Sequence, residues 1–286
     1  MFDSSKVLVA GSTGYLGRHI LKKMLDKKMS FCALARNDKK LRSLGLSESQ
    51  IIQAQVTNRE ELSEVCDGID VVISSLGITR QKDGFSYEGV DYQGNLNLLE
   101  EAKRAGVKKF IYISAFNAQN YPDVRLLKAK ERFAVQLLNT RELSPCVIRP
   151  NGFFSDIAEI FKMAKAGRVY TFGTGKIQIN PIHGEDLAEF CLDSISSNET
   201  ERSIGGPKVY SLDDIANIAF QSLNKPAKIT HIPDNLRVLS LGIAKRLPEK
   251  WGGPAEFFLT MLGGDAIAPS YGKCCLEQYF DELAKS

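Results

Sequence analysis

Gly11-Ser12-Thr13-Gly14-Tyr15-Leu16-Gly17 follows the apolar run Lys6-Val7-Leu8-Val9-Ala10 and leads into His19-Ile20-Leu21-Lys22-Lys23-Met24-Leu25. A strand, a glycine-rich turn and a helix in that order make a dinucleotide pocket. Backbone N–H groups of the turn and of the first helical turn face a pyrophosphate, and glycine admits the ligand where a Cβ would collide. Gly11, Thr13, Gly14, Tyr15, Leu16 and Gly17 are therefore the expected contacts of a nucleotide.

Outward from this turn, apolar runs at 6–10, 30–35, 51–56, 70–76, 108–114 and 145–149 alternate with helix-like stretches near 15–28, 59–66, 87–105 and 126–141. That rhythm predicts an α/β fold, a doubly wound parallel Rossmann sheet followed by a smaller C-terminal substrate-binding lid domain. After Pro150 the rhythm loosens into a helix near 154–166, strand-like pieces at Val169–Phe172 and Ile177–Ile179, and a helix from Glu185 to about Ser196. Gly205-Gly206-Pro207, Gly252-Gly253-Pro254 and Gly263-Gly264 break the tail. The expected division is a dinucleotide-binding domain over 1–150, rejoined by 177–197, and a lid over 151–176 and 198–286. A substrate is expected in the cleft between them.

Composition excludes several classes. Among 286 residues, 37 Lys and Arg stand against 34 Asp and Glu, and the resulting net charge of +3 is dispersed, so no nucleic-acid footprint follows. No apolar run approaches the roughly 18 residues of a membrane span, and the N-terminus passes straight into a strand, which suggests a soluble, cytoplasmic protein. The six cysteines are scattered without a C-x-x-C and are expected reduced. His19, His183 and His231 show no metal-ligand spacing among themselves or with cysteine, so no metal is expected.

The strand ends carry the specificity signals. The second ends Cys32-Ala33-Leu34-Ala35-Arg36, with arginine where an NAD enzyme places an acid for the ribose 2′-hydroxyl; a guanidinium grips a 2′-phosphate, and NADP is expected. The third ends without an aspartate for the adenine amino group, leaving Gln55 and the backbone at Val56. The fourth ends Ser74-Ser75-Leu76-Gly77, small groups where the ribose would pass. At the end of the fifth, Ser114 either contacts substrate or nicotinamide or merely closes the strand.

These residues resemble the atypical short-chain dehydrogenase/reductase superfamily, in the branch of the NmrA-like proteins and the 3,8-divinyl chlorophyllide reductases. The glycine spacing G-x-x-G-x-x-G is the form used there. The resemblance extends to Val90-Asp91-Tyr92-Gln93-Gly94-Asn95, Ala105-Gly106-Val107-Lys108-Lys109-Phe110, Ile148-Arg149-Pro150-Asn151-Gly152-Phe153-Phe154, Phe172-Gly173-Thr174-Gly175, Pro181-Ile182-His183-Gly184-Glu185-Asp186, Ile204-Gly205-Gly206-Pro207 and Ala268-Pro269-Ser270-Tyr271-Gly272-Lys273. It implies NADP (NADPH) contacts at Pro150, Asn151 and Phe153 as well as at Leu76, Gly77, Ser114 and Lys130. It also implies that Ser114 and Lys130 occupy the family's catalytic serine and lysine positions. The family tyrosine stands four residues before the lysine, and here that residue is Leu126. Alcohol dehydrogenation then lacks its proton carrier, while reduction of an activated carbon–carbon double bond in a small-molecule substrate stays open, with Tyr92, Tyr121, Lys128 and His183 as candidate proton donors. NmrA-like members that bind dinucleotide without chemistry are the alternative.

Overall fold

The computed structural model describes residues 5–79 and 84–285. Its strands are β1 (Val7–Ala10), β2 (Phe31–Ala35), β3 (Ile51–Gln53), β4 (Val71–Ser74), β5 (Lys109–Ile113), β6 (Ser144–Pro150), β7 (Val169–Phe172), β8 (Gln178–Ile179), β9 (Glu201–Ile204), β10 (Tyr210–Ser211) and β11 (Ile229–Ile232). The helices are α1 (Tyr15–Asp26), α2 (Lys39–Arg42), α3 (Asn95–Arg104), α4 (Arg125–Leu138), α5 (Phe154–Lys165), α6 (Gly184–Asp193), α7 (Leu212–Ser222), α8 (Asp234–Arg246), α9 (Glu249–Met261) and α10 (Leu276–Lys285). Two compact units emerge: residues up to Arg149 with Leu187–Arg202, and Pro150–Asp186 with Ser203 onward.

The first unit is built on a seven-stranded sheet of order β3-β2-β1-β4-β5-β6-β9. Neighbours from β3 to β6 pair in parallel. At the β9 edge, Val147 N–H donates to the Thr200 carbonyl at 2.7 Å and Asn151 N–H to the Ile204 carbonyl at 2.8 Å, both chains running the same way. Val7, Leu8, Val9 and Ala10 are wholly buried, because a central parallel strand is covered on both faces and so reads as a continuous apolar run. One face carries α3 and α4, with Phe110, Tyr112, Leu98, Leu99, Phe133 and Leu137 packed together. On the other, Lys23 and Lys27 of α1 pair with Glu189 of α6. The chain leaves β1 toward β2 and β3, then crosses back to β4, so the β1 and β4 ends flank the topological switch where such folds bind ligands.

The second unit gathers α5, α7 and α10 around Phe154, Phe161, Phe220 and Phe280. The ribbon β7–β11 is parallel and the pair β8–β10 antiparallel. Ser211 caps α7 by accepting from Asp214 N–H at 3.1 Å while its own N–H donates to the Asp214 carboxylate at 2.9 Å, a capping box. Among the described residues no helix is long and apolar enough to cross a membrane.

Several sequence expectations needed correction. The stretch 59–66 is not a helix but a short 3₁₀ turn, Glu60–Leu62; Asn58 and Glu61 bond locally to the chain around Gln55, which competes with helix propagation. The helix expected over 87–105 opens with a π-helical turn, Glu88–Gly94, before α3 begins. Strand β9 was missed because Glu-Arg-Ser-Ile is a polar edge sequence, without the apolar run that marks the buried strands. Gly252-Gly253-Pro254 lies inside α9 instead of breaking it, the proline sitting in an early turn that forfeits one hydrogen bond.

Candidate functional site

The glycine turn is held by its close approaches. Gly11 has φ +75°, and a Cβ there would lie 2.7 Å from the Ser75 carbonyl carbon, so only glycine lets the β1 and β4 ends approach this closely; the Ser75 hydroxyl donates to the Ala10 carbonyl at 3.0 Å across the same contact. A Cβ on Gly17 would stand 2.3 Å from the Gly11 oxygen, fixing how tightly α1 packs on its own entry turn. Gly14 differs: its Cβ would meet only the Gly11 oxygen, at 3.1 Å, so its outer side is open. As N-cap of α1, Gly14 supplies no side-chain acceptor and the first turn holds no acid. The positive end of the helix dipole is thus left for an anion, the electrostatics a pyrophosphate needs. Ser12 is buried and donates its hydroxyl to the Leu34 carbonyl at 2.7 Å, tying the turn to β2. Thr13 is half-buried, Leu16 is buried, and half-buried Tyr15 meets His19 edge-on at 4.9 Å.

At the other end of the switch, Lys130 projects from α4 and its ammonium lies 3.0 Å from the Asp91 carboxylate. Asp91 is wholly buried and Lys130 retains 14% side-chain exposure. The second Asp91 oxygen accepts the Ile78 N–H at 3.1 Å, and its carbonyl accepts the Asn95 amide at 2.9 Å. Asn95 in turn accepts the Ser74 hydroxyl at 2.5 Å, so the carboxylate is stitched to the β4 end. A Cβ on Gly77 would lie 2.6 Å from Asp91 Oδ1 and 2.8 Å from Lys130 Nζ; glycine leaves the room in which the pair meets. Burial opposes the Lys130 charge, but the Asp91 carboxylate outweighs it and holds the ammonium above the ordinary lysine value.

Behind the pair, the Tyr112 ring centroid is 5.6 Å from Lys130 Nζ. Burial pushes its phenol well above the tyrosine range, so it stays protonated. The Tyr112 hydroxyl and the Ser114 hydroxyl are both buried without a hydrogen-bond partner among the described residues. Tyr112 lies in β5 and Ser114 follows the strand's last residue, two positions on. Leu126, one turn before Lys130, is buried at 3% exposure. Lys128 is exposed, and Tyr121 is half-buried at the end of a 3₁₀ turn. Tyr92 is covered by the Arg132 guanidinium at 4.0 Å from its ring centroid. Next to Lys130, Glu131 takes a bidentate pair from Arg149 at 2.6 and 2.9 Å, and Arg149 also bonds Glu201 at 2.9 Å; this cross-brace fixes the rotation of α4.

The third group of expected contacts lies along the β2 and β3 ends. Arg36 is exposed, with its guanidinium 5.4 Å from the Phe85 ring centroid and its carbonyl accepting the Gln53 amide at 3.2 Å. Val56 is buried, and its carbonyl accepts the Asn97 amide at 3.0 Å. The Gln55 N–H donates to Glu61 at 2.8 Å. Leu76 is half-buried, its N–H directed at the Ser74 hydroxyl at 3.4 Å. Asp91, Asn95, Asn97 and Tyr112 are the residues that sequence reasoning missed. Asp91 and Asn95 stood in a quoted stretch, and their i, i+4 spacing was the available signal; Tyr112 read as one more apolar strand residue.

Pro150, Asn151 and Phe153 belong to the second unit. The Asn151 amide donates to Asn180 Oδ1 at 2.8 Å and to the Ala266 carbonyl at 2.6 Å, so it fastens that unit's own crossing segments. Phe153 is the extended N-cap residue of α5 and bridges to Ile182. His183, Glu185 and Cys274, distant in sequence, bring possible ligand atoms within 4.8 Å of one another. Glu185 sits in the first turn of α6, where the dipole favours carboxylates and works against a cation, and its N–H donates to His183 Nδ1 at 3.3 Å.

Residues 11–198 match a family model described as NAD(P)H-binding. The chain is 29% identical to the chloroplastic divinyl chlorophyllide a 8-vinyl-reductase of Arabidopsis thaliana, over 98% of this chain and 76% of that protein. It is 31% identical to the photosystem II assembly factor Ycf39 of Guillardia theta, over 81% of this chain and 74% of that one. Among solved structures it resembles the NADPH-dependent quinone oxidoreductase QOR2 of Escherichia coli, complexed with NADPH, with a TM-score of 0.71 at 16% identity, covering 97% of this chain and 99% of that one. At that identity the likeness concerns the fold.

Proposed function

The chain belongs to the NAD(P)H-binding family of atypical short-chain dehydrogenases/reductases, and we propose that within it the protein is an NADPH-dependent reductase of an activated carbon–carbon double bond. The observation that carries this reading is the Lys130–Asp91 pair with Leu126 in the phenol's place. A buried ion pair is weak evidence for stability, since desolvation offsets most of its Coulomb gain. A perturbed lysine beside a switch-point crevice is instead what a ligand-holding cation requires.

The site residues suit the cofactor. N–H groups of the Gly11–Gly17 turn and the open α1 terminus would hold the pyrophosphate, Lys130 would donate to ribose hydroxyls, and Ser114 carries a buried hydroxyl with unmet hydrogen-bonding capacity. Arg36 would meet a 2′-phosphate with charge-assisted bonds worth about 1.5–3 kcal/mol, an NADP preference of about ten- to a hundredfold. When bound, the reduced nicotinamide supplies a hydride to one alkene carbon. Lys130 is fixed as a cation by Asp91 and is a poor base, and Leu126 carries no proton, so neither residue takes the proton from an alcohol. A conjugated acceptor needs no such base, because its electron pair moves onto the conjugated system and a proton then adds at carbon from water or a nearby acid.

The alternative, a dinucleotide-binding sensor or assembly factor without chemistry, is favoured by the same leucine and by the likeness to Ycf39. Incubation with NADPH and a panel of enones, quinones and divinyl tetrapyrroles separates the two. Oxidation of NADPH by a conjugated acceptor, with secondary alcohols and NADP inert, supports the reductase. Tight NADPH binding with no turnover across the panel supports the sensor.

A further inference from the structure

Helices α8 and α9 pack chiefly on each other, as a hairpin turned through Leu247 and Pro248. Its interior is polar or small: Arg237, Ala244, Gly252, Gly253 and Glu256 are buried. Arg237 bonds Asp234 at 2.6 and 3.0 Å and the Leu259 carbonyl at 2.9 Å, and a Cβ on Gly263 would meet its guanidinium at 2.9 Å. Several large apolar side chains of the hairpin are exposed, while others, such as Leu241, Phe257 and Phe258, are half-buried. Leu236, Leu239 and Ile243 fall on one helical face at i, i+3 and i+7 and are 45%, 60% and 54% exposed. At the turn, Leu247 is 44% and Trp251 71% exposed. Large apolar side chains exposed along one helical face and at the turn, over an interior that is polar or small, are the mark of an interaction site.

The surrounding charge says what it meets. Lys245, Arg246 and Lys250 are exposed around the same turn, with Lys250 Nζ 5.6 Å from the Trp251 ring centroid. Leucine and isoleucine on one face, an amphipathic indole at the boundary and cations beside it form the composition of a helix that lies in the headgroup region of an anionic bilayer. We propose that the α8–α9 hairpin docks the protein on an anionic lipid surface, with Leu239, Ile243, Leu247 and Trp251 inserted among the acyl chains and Lys245, Arg246 and Lys250 on the lipid phosphates. Docking is peripheral and reversible, because one short hairpin with three cations provides a modest partition free of any span.

Trp251 is the one tryptophan of the chain, so its emission reports on this surface alone. The full-length protein is titrated with vesicles of phosphatidylcholine containing about one-third phosphatidylserine, in parallel with pure phosphatidylcholine, and sedimented with each. The expected result is a blue shift and co-sedimentation with the anionic vesicles only, reversed by about 0.5 M salt. Lys245→Glu with Arg246→Glu lowers the partition about tenfold or more, and Ile243→Glu abolishes it, both variants keeping the parent circular dichroism and NADPH binding. Equal binding to neutral vesicles, or neither shift nor sedimentation with anionic ones, overturns the proposal. So does a concentration-dependent blue shift without vesicles accompanied by dimer in sedimentation velocity, which would assign the face to a second copy of the chain.

Discussion

Asp91 and Lys130 meet at 3.0 Å across the gap left by Gly77, joining the π-helical turn before α3 to the first turns of α4. The two residues are distant in sequence and carry opposite charges out of water together. Everything proposed for the nicotinamide end of the site depends on this pair holding Lys130 charged and aimed.

Replacing Asp91 by asparagine leaves the ammonium buried beside a neutral amide. The loss is expected at about 3–5 kcal/mol, read as a fall in denaturation midpoint, and Lys130→Met added to it recovers much of the loss. The pH dependence gives a second signature. In the parent, the folded Lys130 pKa is raised above the unfolded value, so its contribution is fully present below the unfolded pKa and is lost only as pH rises through the folded one. Stability is therefore flat in this respect from about pH 6 to about pH 9. In Asp91→Asn, burial pulls the folded pKa down instead, and stability rises toward alkaline pH.

A methyl group at position 77 enters the space the pair occupies. Gly77→Ala is expected to fold but to separate Asp91 from Lys130, costing about 1–3 kcal/mol by overpacking. Calorimetric titration should show NADPH affinity falling along with it. Unchanged affinity would mean that the pair does not serve the cofactor.

Two glycines of the turn should part company. Gly17→Ala collides with backbone 2.3 Å away and is expected to lower the melting temperature sharply, with cofactor loss as a by-product. At Gly14 an added Cβ meets only one atom of the protein, at 3.1 Å, and the N-cap φ of −73° is one valine adopts, so for Gly14→Val a folded protein with abolished NADPH and NADH binding is expected. Retained binding in Gly14→Val would place the pyrophosphate elsewhere.

For cofactor choice, NADPH is expected to bind about ten- to a hundredfold more tightly than NADH, and Arg36→Glu to shrink or reverse that gap. Equal affinities in the parent would remove Arg36 from the 2′-phosphate.

The sheet was legible because its strands are buried on both faces and so announce themselves as apolar runs between glycine-rich turns. Legibility failed where local chemistry overrode periodicity. Asn58 and Glu61 close a tight turn that mimics a helix start, and β9 is a polar edge held by backbone bonds to β6. At the site, Gly11, Gly17 and Arg36 could be named because their positions follow from the strand-turn-helix order. For Asp91 the i, i+4 spacing to Asn95 was the only signal, because its pairing with Lys130 is set by a π-helical turn and a distant helix, and nothing in a one-dimensional pattern marks Tyr112 as a buried hydroxyl instead of core. The Asn151 amide bonds within the second unit's own segments, a commitment that only the three-dimensional crossing of Asn180 and Ala266 reveals.

The most direct test of the central claim follows the hydride. With NADPH deuterated at the transferable nicotinamide position and a conjugated alkene as acceptor, the product should carry one deuterium on a carbon of the former double bond, with the second hydrogen drawn from solvent. Lys130→Ala should suppress this far more than Lys128→Ala. Deuterium absent from every product while NADPH binds tightly, or transferred instead to the carbonyl carbon to give an alcohol, would contradict the account.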